Sequence, residues 1–129
     1  MSKYKSQGLF GAFRNANRGI RLALKSEGNI RIHFVIAILV LIAAYYLNFT
    51  AVRFCILLLT ISMVIVAEMV NSGLEYGLDA VFHNKYSKLV GMAKDIAAGA
   101  VMFATFMSII IGIILFGENL IVRYAHLLS

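Results

Sequence analysis

The sequence predicts an all-α integral membrane protein with three transmembrane helices and an N-terminal amphipathic surface helix. Three observations lead there. Of 129 residues, 61% are hydrophobic, against roughly 45–50% in soluble domains, and the mean hydropathy is +0.87. Charged residues make up 14%, too few to coat a globule of this size. The apolar residues gather into three long runs, and proline, the strongest helix breaker, is absent from all of them. No repeat or low-complexity linker divides the chain, so 1–129 reads as one membrane domain.

The first element is the surface helix, expected over 8–28. At 3.6 residues per turn, Leu9, Phe10, Phe13, Ala16, Ile20, Ala23 and Leu24 gather on one side, and Arg14, Arg18, Arg21 and Lys25 on the other. That is the pattern of a helix lying in the membrane interface, basic side towards headgroups. A helix continued this far puts Glu27 on the apolar meridian, aimed at the bundle rather than at water. The first span, 32–49, is rich in Ile, Leu and Ala, with Tyr45 and Tyr46 as interface anchors near its end. At 1.5 Å per residue it covers about 27 Å, close to the hydrocarbon thickness of about 30 Å. The second span, 54–79, begins as an uncharged run and ends as a polar-studded extension. The third, 95–116, is the cleanest. Cys55 is the single cysteine; it excludes an intramolecular disulfide or a Cys-rich metal site, and its apolar neighbours suggest a buried free thiol.

Charge sets the orientation. Seven of the twelve basic residues (Lys3, Lys5, Arg14, Arg18, Arg21, Lys25 and Arg31) lie in the first 31 positions. Lys85, Lys88 and Lys94 mark the connection at 80–94, whereas 48–53 carries only Arg53. Both asymmetries predict a multi-pass protein with a cytoplasmic N-terminus. The charged lead is too long, and the first apolar run too extended, for a cleaved signal peptide. A basic N-terminus can also serve nucleic acid, but no nucleic-acid partner is expected of a chain otherwise committed to membrane.

Chemistry concentrates in 67–79. Glu68, Asn71, Glu75 and Asp79 are spaced 3, 4 and 4 apart, so on one helix they share an arc of about 80°. Gly73 and Gly77 fall opposite, a GxxxG face suited to close helix contact. Glu68 ends a long uncharged run, where an acid costs about 2.5–3.5 kcal/mol on insertion scales and marks a functional site by default. The alternative for this stripe is a snorkelling helix end or a polar pair that fixes register. Lys94 and Asp95 precede the third span among small residues, Gly91, Ala97, Ala98 and Gly99. Asp95 alone fits a helix cap, and Lys94 alone a positive anchor. Together with the stripe they suit phosphate and a divalent ion: carboxylates hold Mg²⁺ and the ammonium offsets phosphoryl charge. Neither a P-loop nor H-E-x-x-H is present.

The strings Glu68-x-x-Asn71-Ser72-x-Leu74-Glu75-x-x-x-Asp79 and Ala93-Lys94-Asp95-x-x-x-Gly99, followed by Ala100, resemble the small prokaryotic diacylglycerol kinase and undecaprenol kinase family. Arg18-Gly19-Ile20-Arg21 and Glu27-x-x-x-Arg31 look like that family's surface-helix segment, and the likeness runs over residues 10–118. It implies a homotrimer in the bacterial cell membrane that phosphorylates a lipid alcohol with Mg²⁺ and ATP at the cytoplasmic interface. It further implies Glu68 as general base and Glu27 and Glu75 as Mg²⁺ ligands at the ATP phosphates. Asn71, Lys94 and Asp95 would then orient the phosphates, with Asp79 and Arg31 in support. Enterobacterial diacylglycerol kinases carry a glutamate where this chain has His33. The segment Glu27-Gly28-Asn29-Ile30-Arg31-Ile32-His33 looks more like the Gram-positive undecaprenol kinases, so undecaprenol is the expected acceptor and diacylglycerol the alternative. His33 alone reads as an interface histidine. A non-enzymatic oligomer or channel with acids along a pore is the rival from another class.

Overall fold

A computed structural model describes residues 8–85 and 87–129; Lys3 and Lys5 of the basic lead lie outside the described residues. Four helices follow in order: α1 (Gly8–Ser26), α2 (Gly28–Tyr46), α3 (Ala51–Phe82) and α4 (Lys88–Leu128). Among the described residues there is no strand. The last three helices are long and apolar enough to cross a membrane. Their outward faces are apolar, with Leu39, Leu59 and Ile113 each more than half exposed in the single chain. A soluble protein would bury such faces; a membrane protein turns them to lipid or to another subunit.

Helix ends explain where hydropathy and structure part. The α1 helix stops at Ser26, and Glu27 is extended (φ −111°, ψ 107°) as the N-cap residue of α2, so the expected continuous helix over 8–28 breaks there. The start of α2 at Gly28 draws four residues into it that hydropathy alone leaves out. Its far end is a tight turn in which Asn48 takes φ 58°, a left-handed conformation that asparagine tolerates. Thr50 then caps α3 by accepting the Arg53 amide at 3.3 Å, placing Arg53 in the first helical turn rather than in the connection. At the other end of α3, His83 and Asn84 both have positive φ and terminate the helix without proline or glycine. Ser87 caps α4 by accepting the Val90 amide. The expected connection of 80–94 therefore shrinks to 83–87, and Asp95 lies about two turns inside α4 rather than capping it. At 41 residues, α4 spans about 61 Å, twice the hydrocarbon thickness. Hydropathy marks only the part of a helix that suits lipid, not where the helix stops.

A small core ties α2, α3 and α4 together at the end remote from α1. Ala44, Leu57 and Leu115 are buried against one another, and the Phe49 and Phe116 rings pack with centroids 4.9 Å apart. Polar clasps close the same end. Arg53 donates to the Leu115 carbonyl and pairs with Glu118 at 3.2 Å, and its guanidinium lies over the Phe49 ring. Asn119 donates to the Leu47 carbonyl at 2.9 Å, and Arg123 to that of Tyr46. Glu118 is 61% exposed, so the ion pair itself contributes little, about 0–1 kcal/mol. The hydrogen bond from a charged donor to a helix carbonyl contributes more, about 1.5–3 kcal/mol. Arg53→Ala is therefore expected to lower unfolding free energy in detergent by about 1.5–3 kcal/mol, and Glu118→Gln by under about 1 kcal/mol. Equal losses in denaturant titration would assign the clasp to the ion pair instead.

Two packing expectations change. Gly73 and Gly77 are exposed, and a Cβ added at either meets nothing within 4 Å. Neither glycine is in close contact with another helix of its own chain, although Gly73 borders a cleft between α3 and α1. Cys55 is exposed, not buried. An apolar neighbourhood does not distinguish a core position from a lipid-facing one.

Candidate active site at the α1 end of the bundle

The polar stripe of α3 lies at the end of the bundle where α1 joins α2. Glu68 is buried, its side chain 12% exposed, and its Oε1 lies 3.1 Å from His33 Nε2 on α2. Helices α2 and α3 run antiparallel, and the His33–Glu68 contact marks their relative level. From there α2 continues back about 9 Å to Glu27, while α3 advances about 10.5 Å to Glu75. The first turn of α2 is thus spent just as Glu75 is reached, and this is why Glu75 is exposed although it shares the face of buried Glu68.

At that level the α1–α2 junction meets α3. The Tyr76 hydroxyl donates to Glu27 Oε1 at 2.8 Å; Tyr76 follows Glu75 in sequence and lies about 100° round the helix from it. Arg31 holds the junction from behind: its Nη1 donates to the carbonyls of Leu24 (2.9 Å) and Lys25 (2.7 Å). A cation there satisfies orphan carbonyls at the C-terminus of α1 and complements that end's partial negative charge. A cleft of about 280 Å³ lies between α1 and α3, lined in part by Gly19, Ala23, Glu27, Ser72 and Tyr76.

Between Glu68 and Glu75, Ser72 is buried and Asn71 keeps its Oδ1 buried with no hydrogen-bond partner. An unsatisfied buried acceptor costs about 1–3 kcal/mol, so this oxygen is poised for a donor or a cation the chain itself does not supply. Further along, Lys94 of α4 donates to Asp79 Oδ1 at 2.6 Å, with both side chains about one-third exposed. Lys94 and Asp79 therefore stand as a pair, whereas Asp95 is exposed on the following position of α4. The pairing of His33 with Glu68, 35 residues apart, has no sequence signature beyond the fact that both are polar residues in apolar runs.

A second cleft, of about 270 Å³, runs along the bundle from His33 towards Phe116, lined by apolar residues such as Ala37, Val40, Leu57 and Val64. His33 lies at one end of it, and apart from Thr60 and Ser108 the rest of the lining is apolar. This end of the bundle thus gathers a buried carboxylate, an exposed acid, an orphan oxygen and a lysine beside an apolar slot.

The family described as prokaryotic diacylglycerol kinase matches residues 14–116. A diacylglycerol kinase of Synechocystis is 36% identical over 104 residues, covering 81% of this chain and 59% of that protein. The undecaprenol kinase of Bacillus subtilis is 33% identical over 107 residues, covering 83% and 86% of the two chains. A diacylglycerol kinase of Escherichia coli K12 is 30% identical over 93 residues, covering 72% and 75%.

Proposed function

Because the chain belongs to the prokaryotic diacylglycerol kinase family, a family of membrane lipid kinases, we propose that it transfers the γ-phosphoryl group of ATP to the hydroxyl of undecaprenol. The observation that carries the reading is buried Glu68, held against His33, which itself lines one end of the apolar cleft. A lipid alcohol whose chain occupies the slot presents its hydroxyl to that carboxylate. Glu68 accepts the O–H proton as the oxygen bonds to the γ-phosphorus, and the bond from that phosphorus to the bridging oxygen breaks to leave ADP. General-base assistance of this kind contributes about 10²–10⁴-fold. Burial in apolar surroundings excludes the water that would otherwise compete as acceptor.

The residues present fit Mg²⁺. This ion keeps several waters and takes one or two carboxylates plus substrate phosphates, so it needs no all-protein cage. Among the described residues no three His, Cys, Asp or Glu side chains form such a cage, while Glu27, Glu75 and the orphan Asn71 oxygen are hard donors. Glu27 and Glu75 would hold the ion, which supplies charge neutralisation at the transferring phosphoryl group. Lys94 and Asp95 orient the phosphates from α4, with Asp79 holding the Lys94 ammonium in place and Arg31 holding the α1–α2 junction. In this reading the site faces the cytoplasm of a bacterial cell, as the basic N-terminal stretch favours, and the working unit is a homotrimer.

The segment ending in His33 supports undecaprenol over diacylglycerol, whereas relatives of both names stand at similar identity. Purified protein in mixed micelles, given labelled ATP with undecaprenol and diacylglycerol in parallel, is expected to label undecaprenol with the higher kcat/KM. Preferential labelling of diacylglycerol would keep the chemistry and overturn the acceptor.

A further inference from the structure

We infer that His33 is a positioning residue for Glu68, holding the carboxylate correctly turned; this rests on the reading of Glu68 as the base. Glu68 is 12% exposed, and among the described residues the partner the structure gives it is His33 Nε2 at 3.1 Å. Three other charged groups of this end have partners of their own. Arg31 is turned to the carbonyls of Leu24 and Lys25, Lys94 to Asp79, and Glu27 to Tyr76. On the α4 side, the residues that reach the cleft beside His33 include Ser108, Ile109 and Gly112 and none that titrates. Thr60, on the α3 wall, spends its hydroxyl on the Ile56 carbonyl at 2.7 Å.

An ionised carboxylate only accepts hydrogen bonds, so a neutral His33 serves it as the Nε2–H tautomer. The Nε2–H donates to Oε1 and leaves Oε2 for the substrate hydroxyl. A buried carboxylate without that donor is poorly compensated for lost water and is free to rotate away from the reacting oxygen. His33 touches Glu68 rather than the transferred group, so its effect belongs in kcat and not in the binding of ATP. The role resembles that of the residue that orients a catalytic base in other enzymes, here placed 35 residues away on the neighbouring span.

The test uses the full chain in mixed micelles with labelled ATP and the lipid alcohol that the wild type phosphorylates. His33→Leu fills the space without a donor, and His33→Gln keeps a donor at similar reach. His33→Leu is expected to lose about 10²-fold in kcat, the loss typical of a displaced catalytic group, with KM for ATP unchanged. His33→Gln is expected to recover most of that loss. A packing role predicts the reverse order, so Leu equal to or better than Gln would overturn the inference. A His33→Leu effect confined to KM would also overturn it. Nitrogen-15 NMR of histidine-labelled wild type needs no His33 variant: the Nε2–H tautomer is expected, and the Nδ1–H tautomer would contradict the assignment. Glu68→Gln is measured alongside. If it is inactive while His33→Leu is fully active, only the His33 inference fails; if Glu68→Gln is fully active, the reading of Glu68 fails first.

Discussion

Glu68→Gln is expected to lower kcat for lipid phosphorylation by about 10²–10⁴-fold, with the protein still inserted and KM for ATP little altered. Glutamine matches glutamate in shape, so the packing of α3 against α2 survives, and its amide oxygen still accepts from His33. What the amide cannot do is take a proton at neutral pH. The substitution therefore removes the proton acceptor and leaves the architecture. Size-exclusion chromatography and circular dichroism in detergent establish that the fold is kept, and labelled-ATP kinetics read the loss. Full activity in a folded Glu68→Gln protein would move the base to another acid of this end, with Asp95 and Asp79 the remaining carboxylates on α4 and at the end of α3.

Glu75→Gln is expected to raise the half-saturating Mg²⁺ concentration by about tenfold or more, before any change in the KM for lipid. Outer-shell partners of a metal typically contribute 10–100-fold to affinity, and a direct ligand should contribute no less. The prediction follows from position. Glu75 shares the face of Glu68, yet the helix it would pack against has ended, so its carboxylate is exposed at the rim. Glu27 Oε1 already accepts the Tyr76 hydroxyl at 2.8 Å, so Tyr76→Phe should produce a smaller shift in the same direction by freeing Glu27 to reorient. A Mg²⁺ titration at saturating lipid reads both. An unchanged Mg²⁺ requirement in Glu75→Gln would remove that residue from the metal site.

How much of this could be read from the sequence depends on the kind of information each feature carries. Three spans and an amphipathic first helix are legible because hydropathy and charge are local properties, and the all-helical structure with three membrane-length helices agrees with them. Glu68 is legible because an acid at the end of an apolar run is costly wherever its partner lies. Its partner is not legible. His33 meets Glu68 only because two antiparallel helices settle at one relative level, and that level is set by the distant packing of Ala44, Leu57 and Leu115. Lys94 and Asp79 each stand out in the sequence, but their 2.6 Å contact depends on the connection being only 83–87 long, which the Ser87 cap decides. The helix break at Glu27 is similarly hidden: the apolar periodicity runs through it, while the backbone turns there. Gly73 and Gly77 err in the other direction. Spacing identifies a face for close approach, and nothing in spacing says whether the approaching helix belongs to the same chain.

The central claim is that this end of the bundle moves a phosphoryl group from ATP to a lipid alcohol. The most direct measurement uses purified protein in micelles with γ-labelled ATP and Mg²⁺, separating label into the organic and aqueous phases with and without a lipid alcohol. Organic-phase label that requires the alcohol and is lost in Glu68→Gln is the expected result. No organic-phase label with either alcohol, together with ion flux across vesicles containing the same protein, would contradict it and make the acidic stripe the lining of a pore.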